Sequence, residues 1–127
     1  MIHLTTEERN KYKNILGSYN MLTALIKILD IEINTINISN TKNDTNTLNH
    51  LKLLNDNKKY YKDITSKIDI GLKQLNDKEK QLVQLRYLSK NPYTWYKIGS
   101  ILHFSDGYCR TKLNDKCLYK LFKLKNN

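Results

Sequence analysis

Apolar side chains recur early in the chain at alternating steps of three and four: Tyr12, Ile15, Tyr19, Leu22, Ile26, Leu29, Ile33 and Ile36. A period near 3.5 residues predicts one long helix lying along another helix. Leu16, Leu25 and Ile28 widen the stripe, which predicts packing against more than one neighbour. Just upstream, Thr5 and Glu8 stand at capping-box spacing, where each side chain satisfies the other's free backbone amide. The run SNTKNDTNT, Ser39 to Thr47, is polar throughout. Such side chains compete for backbone hydrogen bonds, so a loop is expected there. A second helix follows, with Tyr61, Ile64, Ile68, Leu72 and Leu75 on one face. Its pattern thins from Asn55 to Lys59, the place where the helix would fray or break. Residues 1–76 thus read as a long helical hairpin or coiled-coil arm. Heptads alone leave open whether the arm packs within the chain or forms a homodimer.

The texture changes at Asn76. Asn76 and Glu79 carry the N-cap signature of a helix near Lys78 to Leu88, closed by SKNPY with the only proline. A second short helix is predicted near Trp95 to Leu102 after Thr94, and a third beyond Ser105 towards Phe122. The connection His103 to Ser105 is so short that the last two helices must cross steeply. Trp95, Ile98 and Leu102 form an inward stripe, and Gly99 beside them is tolerable if it lets a neighbouring helix approach closely. Cys109, Leu113, Cys117 and Leu121 recur at steps of four, widened by Leu118 and Phe122. That pattern leaves Asp106, Gly107, Arg110, Thr111 and Asn114 on the opposite face. The fold class is all-α, with a C-terminal three-helix module at residues 77–127, in keeping with four Gly and one Pro in 127 residues.

Charge sharpens this division. The net charge is +10, but residues 1–77 carry 11 basic and 9 acidic side chains, whereas residues 78–127 carry 11 basic and 3 acidic. The second part therefore holds a net +8 and attracts polyanions. Part of the lysine excess reflects a composition of 19 Lys, 16 Asn and 13 Ile, the drift of an AT-rich genome.

Catalytic and redox chemistry find little support. Cys109 and Cys117 lie about 12 Å apart along a helix, too far for a disulfide, and read as small core residues of a reduced, intracellular protein. His3, His50 and His103 are dispersed and form no metal-ligand spacing. No phosphate-cradling glycine loop and no nucleophile with its base is present, so no enzyme activity, cofactor or metal is expected. Neither a signal peptide nor a membrane-spanning apolar run is seen, which predicts a soluble, cytoplasmic chain without a membrane partner. Trp95 reads as a core anchor, while Tyr93, Tyr96 and Tyr108 are candidate phosphate contacts.

The two last helices have the division of labour that a DNA-recognition helix needs, with its rear packed and its first turns polar. Arg110 suits bidentate bonds to guanine and Asn114 to adenine, while Ser105 caps the helix beside amides that suit a phosphate. Lys112, Lys116, Lys120, Lys123 and Lys125 follow as phosphate contacts. LNDKEKQLVQLRYL with TWYKIGSILHFSDGYCRTKLNDKCLYKL resembles region 4 of bacterial sigma factors. It resembles more closely the small phage regulators of the ArpU and RinA late-gene activator type. The matching elements are the LRYL helix, the Thr-Trp opening, Ile98-Gly99, Leu102, Ser105, Arg110 and the closing Cys-Leu-x-x-Leu. Two departures stand out: one residue more than the usual pattern between Ser105 and Leu118, and Asp106-Gly107 where basic residues are usual.

The resemblance implies promoter-proximal binding of double-stranded DNA, with Asp106, Gly107, Arg110 and Thr111 facing the major groove. The full candidate set is Thr94, Ser105, Asp106, Gly107, Tyr108, Arg110, Thr111, Lys112, Asn114, Lys116 and Lys120. The expected function is a sequence-specific transcriptional regulator, an activator of phage late genes acting in a bacterial host, with RNA polymerase as a further partner. Two rivals remain at this point: a small terminase subunit, and an adaptor that binds RNA polymerase without reading DNA.

Overall fold

The computed structural model describes residues 2–39 and 44–124, and every regular element among them is helical. Helix α1 spans Thr6–Gly17, α2 Tyr19–Ser39 and α3 Thr45–Leu72. Helix α4, Asp77–Val83, continues into a π-helical segment, Gln84–Leu88. Helix α5 is Trp95–Leu102 and α6 is Asp106–Tyr108. A second π-helical segment, Cys109–Leu113, joins α6 to α7, Asn114–Phe122.

Helix starts follow local chemistry. Thr5 and Glu8 form a reciprocal capping box at 3.0 Å in both directions, and Asn76 and Glu79 form another at 2.9 Å. Thr94 and Ser105 accept from the backbone amides of Lys97 and Tyr108. Each cap satisfies an amide that the first helical turn leaves without a partner.

The predicted first long helix is two helices. At Ser18 the hydroxyl donates to the carbonyl of Ile15 at 2.7 Å, and its amide is shared between the carbonyls of Asn14 and Ile15. These local bonds compete with the helical ladder and end α1 there. The polar loop is also shorter than its sequence implies. Ser39 belongs to α2, and Thr45 to Thr47 to α3, because the Asp44 carboxylate caps α3 by accepting from the Thr47 amide at 2.7 Å. The rest of that expected loop, residues 40–43, lies outside the described residues, as does Lys125. No break occurs from Asn55 to Lys59: α3 is continuous, with Leu54 buried and Lys58 ion-paired to Asp30. Leu75 lies beyond the end of α3, in the turn before α4, and is buried there.

Packing divides the chain into two units, residues 1–19 with 67–127, and residues 20–66. The first therefore gathers α1 and the end of α3 around the C-terminal helices. Arg9 holds Asp115 through two guanidinium bonds of 2.9 and 3.0 Å. Tyr12 stacks on Phe122 with ring centroids 4.7 Å apart, and Glu8 meets Lys123 at 2.8 Å. Gly71 of α3 lies against Leu121 so closely that a Cβ there would stand 3.0 Å from its backbone. The core of this unit is formed by Leu16, Ile68, Leu82, Ile98, Leu102 and Leu118, all essentially inaccessible to water.

The second unit is the hairpin of α2 and α3. An ion pair from Asp30 to Lys58 and a 3.6 Å contact from Glu32 to His50 order the helices antiparallel, since the later α2 residue meets the earlier α3 residue. Leu22 and Leu54 are its most buried apolar side chains. The heptad positions Ile26, Leu29, Ile33 and Ile36 are half-buried.

Candidate nucleic-acid interface

Helices α5 and α6 are joined by a three-residue turn whose sharpness rests on two positions. His103 adopts the left-handed conformation (φ 63°) that ends α5, and the Phe104 amide donates to the Gly99 carbonyl at 3.0 Å. A Cβ on Gly99 would stand 2.6 Å from the Phe104 carbonyl oxygen and 3.1 Å from the Asp106 nitrogen. Glycine is thus required where the incoming helix crosses α5, the close approach its sequence position implied.

Behind this pair lies a dry face. Ile98, Leu102, Cys109, Cys117 and Leu118 are fully buried, and Leu113 and Leu121 nearly so. Burial pushes the Cys117 thiol up to about 12, with the Glu79 carboxylate adding to the shift, and burial likewise raises Cys109. Both are free thiols, and Cys117 donates to the Glu79 carbonyl at 3.7 Å. These thiols stay protonated, so they pack as small apolar groups. Trp95 is half-buried and carries the Arg86 guanidinium 4.6 Å above its ring.

The outer face presents Arg110, Thr111, Lys112 and Lys116, all exposed. Arg110, Lys112 and Lys116 make no hydrogen bond or ion pair among the described residues. The Thr111 hydroxyl donates to the Gly107 carbonyl at 2.7 Å, leaving it an acceptor. Thr94, Ser105 and Asp106 are exposed, with the first two capping their helices and Asp106 accepting from the Gly107 amide. Gly107 is half-buried, and Tyr108 packs edge-on against Phe104 at 5.1 Å. Beside this edge, Tyr96, Ser100, Phe104, Ser105 and Asp106 line an open groove of about 320 Å³.

Two expected contacts belong elsewhere. Asn114 is completely buried, and its Oδ1 accepts from the Tyr87 hydroxyl at 2.6 Å. The π-helical turn at Cys109–Leu113 is the cause. One extra residue in a turn rotates everything after it by about 100° relative to a regular helix, which carries Asn114 from the outer face to the inner one. A signal for it existed in the sequence: side chains at a strict spacing of four drift about 40° per step around a regular helix. Cys109, Leu113, Cys117 and Leu121 all face inward because one wide turn offsets that drift.

Lys120 is the second correction. Its ammonium lies 2.8 Å from the Glu79 carboxylate, which is almost fully buried. Lys123 is likewise engaged by Glu8. Lys78 donates to the Leu102 carbonyl and sits 4.7 Å above the Phe104 ring, while Arg86 donates to the Tyr93 carbonyl. Several of the cations counted in the basic C-terminal part therefore brace the fold. Those left facing solvent around α5 and α6 are Lys97, Arg110, Lys112 and Lys116.

Among the described residues no cluster of three or more His, Cys, Asp or Glu side chains suits a metal ion, and no helix is long and apolar enough to cross a membrane. No protein-family model, curated protein or solved structure matches this chain.

Proposed function

We propose that this chain is a sequence-specific DNA-binding transcriptional regulator whose α5–turn–α6 pair acts as a helix-turn-helix. One observation carries the reading. The helix that begins at Asp106 is buried along Cys109, Leu113 and Cys117, yet its other side offers Arg110, Lys112 and Lys116 to solvent without internal partners. A surface that keeps its cations uncommitted is suited to a polyanion. Arg110 has the planar fork that reads guanine in the major groove. Lys97, Lys112 and Lys116 neutralise phosphates and set affinity. Thr94, Ser105 and Tyr108 lie at the rim, where backbone contacts orient the module. The resemblance to phage late-gene activators extends this proposal to promoter activation, with RNA polymerase as the recruited partner.

Selection of binding sites from random duplex DNA, followed by mobility shifts across a salt series, tests the reading. Arg110→Ala is expected to lose discrimination between the selected site and unrelated DNA. Lys112→Ala and Lys116→Ala are expected to weaken all sequences alike and to lower the log–log salt slope by about 0.9 each. Recovery of no motif, with binding to polymerase retained, would replace this reading by that of an adaptor.

A further inference from the structure

The outward side of α2 carries a second apolar stripe, separate from the one its hairpin uses. Met21, Ala24, Ile28, Ile31, Thr35 and Ile38 recur at alternating steps of three and four along the helix, and all are exposed. The large ones are strongly so: Met21 59%, Ile28 57%, Ile31 67% and Ile38 85%. On the other side of the helix, Leu22, Ile26, Leu29, Ile33 and Ile36 are buried or half-buried. Helix α3 shows no such repeat, for its exposed Leu48, Leu53, Tyr60 and Ile70 are spaced by five, seven and ten residues. The heptad pattern of α2 thus serves the hairpin with one face and leaves another, in the same period, without a partner.

We infer that this outward face pairs in parallel with the same face of a second copy of this chain. Three features select that occupant. First, a 3.5-residue apolar period is what keeps one helix facing another along its length. Second, the flanks are self-complementary. Lys27 precedes Ile28 on one edge of the stripe and Glu32 follows Ile31 on the other. Residues so placed, five apart, face each other across a parallel pair, so Lys27 of each copy meets Glu32 of the other. An antiparallel pair would set like edges together and lose both attractions. Lys27 makes no ion pair within its own chain among the described residues, and Glu32 stands 3.6 Å from His50 with nearly half its side chain exposed.

Third, the area suffices. The four large side chains leave on the order of 500 Å² in water, in the upper range of the largest apolar patch on a typical monomer, which is often functional. Two such faces with their flanking stems bury roughly 1,000 Å², the lower bound for a specific interface.

Sedimentation equilibrium of the full chain without nucleic acid tests this, and its outcome does not depend on whether the chain reads DNA. Wild type is expected at twice the 15.0 kDa chain mass. Ile31→Glu is expected at the single-chain mass with unchanged helical circular dichroism, since that residue is 67% exposed and lies away from the hairpin's buried face. Lys27→Glu should weaken association several-fold, and Lys27→Glu combined with Glu32→Lys should restore it. A wild type that remains at the single-chain mass up to its solubility limit overturns the inference. So does a dimer indifferent to Ile31→Glu, and association unaffected by Lys27→Glu overturns the parallel arrangement.

Discussion

Tyr87 and Asn114 meet through a 2.6 Å hydrogen bond that links the two π-helical segments of the chain. Tyr87 lies within the first, and Asn114 directly follows the second. Burial is the main reason the phenol is pushed up to about 12, although the bond to Asn114 acts in the opposite direction. The Asn114 amide nitrogen has no partner, so Oδ1 is the only side-chain atom of this residue that is satisfied. Removing the phenol oxygen by Tyr87→Phe would leave a buried amide with neither end bonded. We expect a loss of about 1–3 kcal/mol in urea unfolding. Combining Tyr87→Phe with Asn114→Leu should recover much of that loss, because both polar groups then disappear together. Asn114→Ala should leave DNA sequence preference untouched, in contrast to Arg110→Ala.

Gly99 and Gly107 make opposite predictions from the same substitution. Gly99→Ala gains helix propensity worth up to about 1 kcal/mol, but its Cβ would meet the Phe104 carbonyl at 2.6 Å. That atom is backbone and cannot swing away. Net destabilisation of about 1–3 kcal/mol is expected, together with loss of DNA binding as the α5–α6 crossing is forced open. Gly107 has nothing within 4 Å and a helical φ. Gly107→Ala should therefore raise the thermal midpoint.

Lys120→Ala separates a structural role from a phosphate contact. The Glu79 carboxylate would keep its bond from the Asn76 amide but lose its ammonium partner in a water-poor setting. A cost of roughly 2 kcal/mol is expected, below that of a fully buried pair because about a third of the Lys120 side chain is exposed. DNA affinity measured well below the unfolding midpoint should change less than for Lys116→Ala. Equal effects of the two variants on affinity would reinstate Lys120 as a phosphate contact.

Acid sensitivity should trace in part to Glu8. Hydrogen bonding from Lys123, followed by the Thr5 amide, lowers its carboxyl from 4.5 to about 2. A carboxylate whose pKa falls on folding contributes stability above its unfolded value. That contribution is lost as pH drops from about 4.5 towards 2. Glu8→Gln should flatten the pH dependence of stability in that window and leave its slope above pH 5 unchanged, which chemical denaturation at stepped pH would reveal.

Much of the fold was legible because it depends on near neighbours. Thr5 with Glu8, Asn76 with Glu79, Thr94 and Ser105 each satisfy amides a few residues away, so spacing alone located those helix starts. The burial of Ile98, Leu102, Cys109 and Cys117 also follows from periodicity. The site was only half legible. Arg110, Thr111, Lys112 and Lys116 are exposed as expected, whereas Asn114 is buried and Lys120 is engaged by Glu79.

Local chemistry by itself determined the all-helical character, the caps and the turn that needs Gly99. Tertiary structure decided what periodicity cannot encode. A π-helical turn moved Asn114 inward, because one surplus residue rotates the rest of a helix and only the core on its far side makes that rotation favourable. Lys120 and Lys123 were drawn to Glu79 and Glu8 because those carboxylates arrive from distant parts of the chain. Net charge counts all cations alike; folding commits some to internal carboxylates and leaves Arg110, Lys112 and Lys116 facing water.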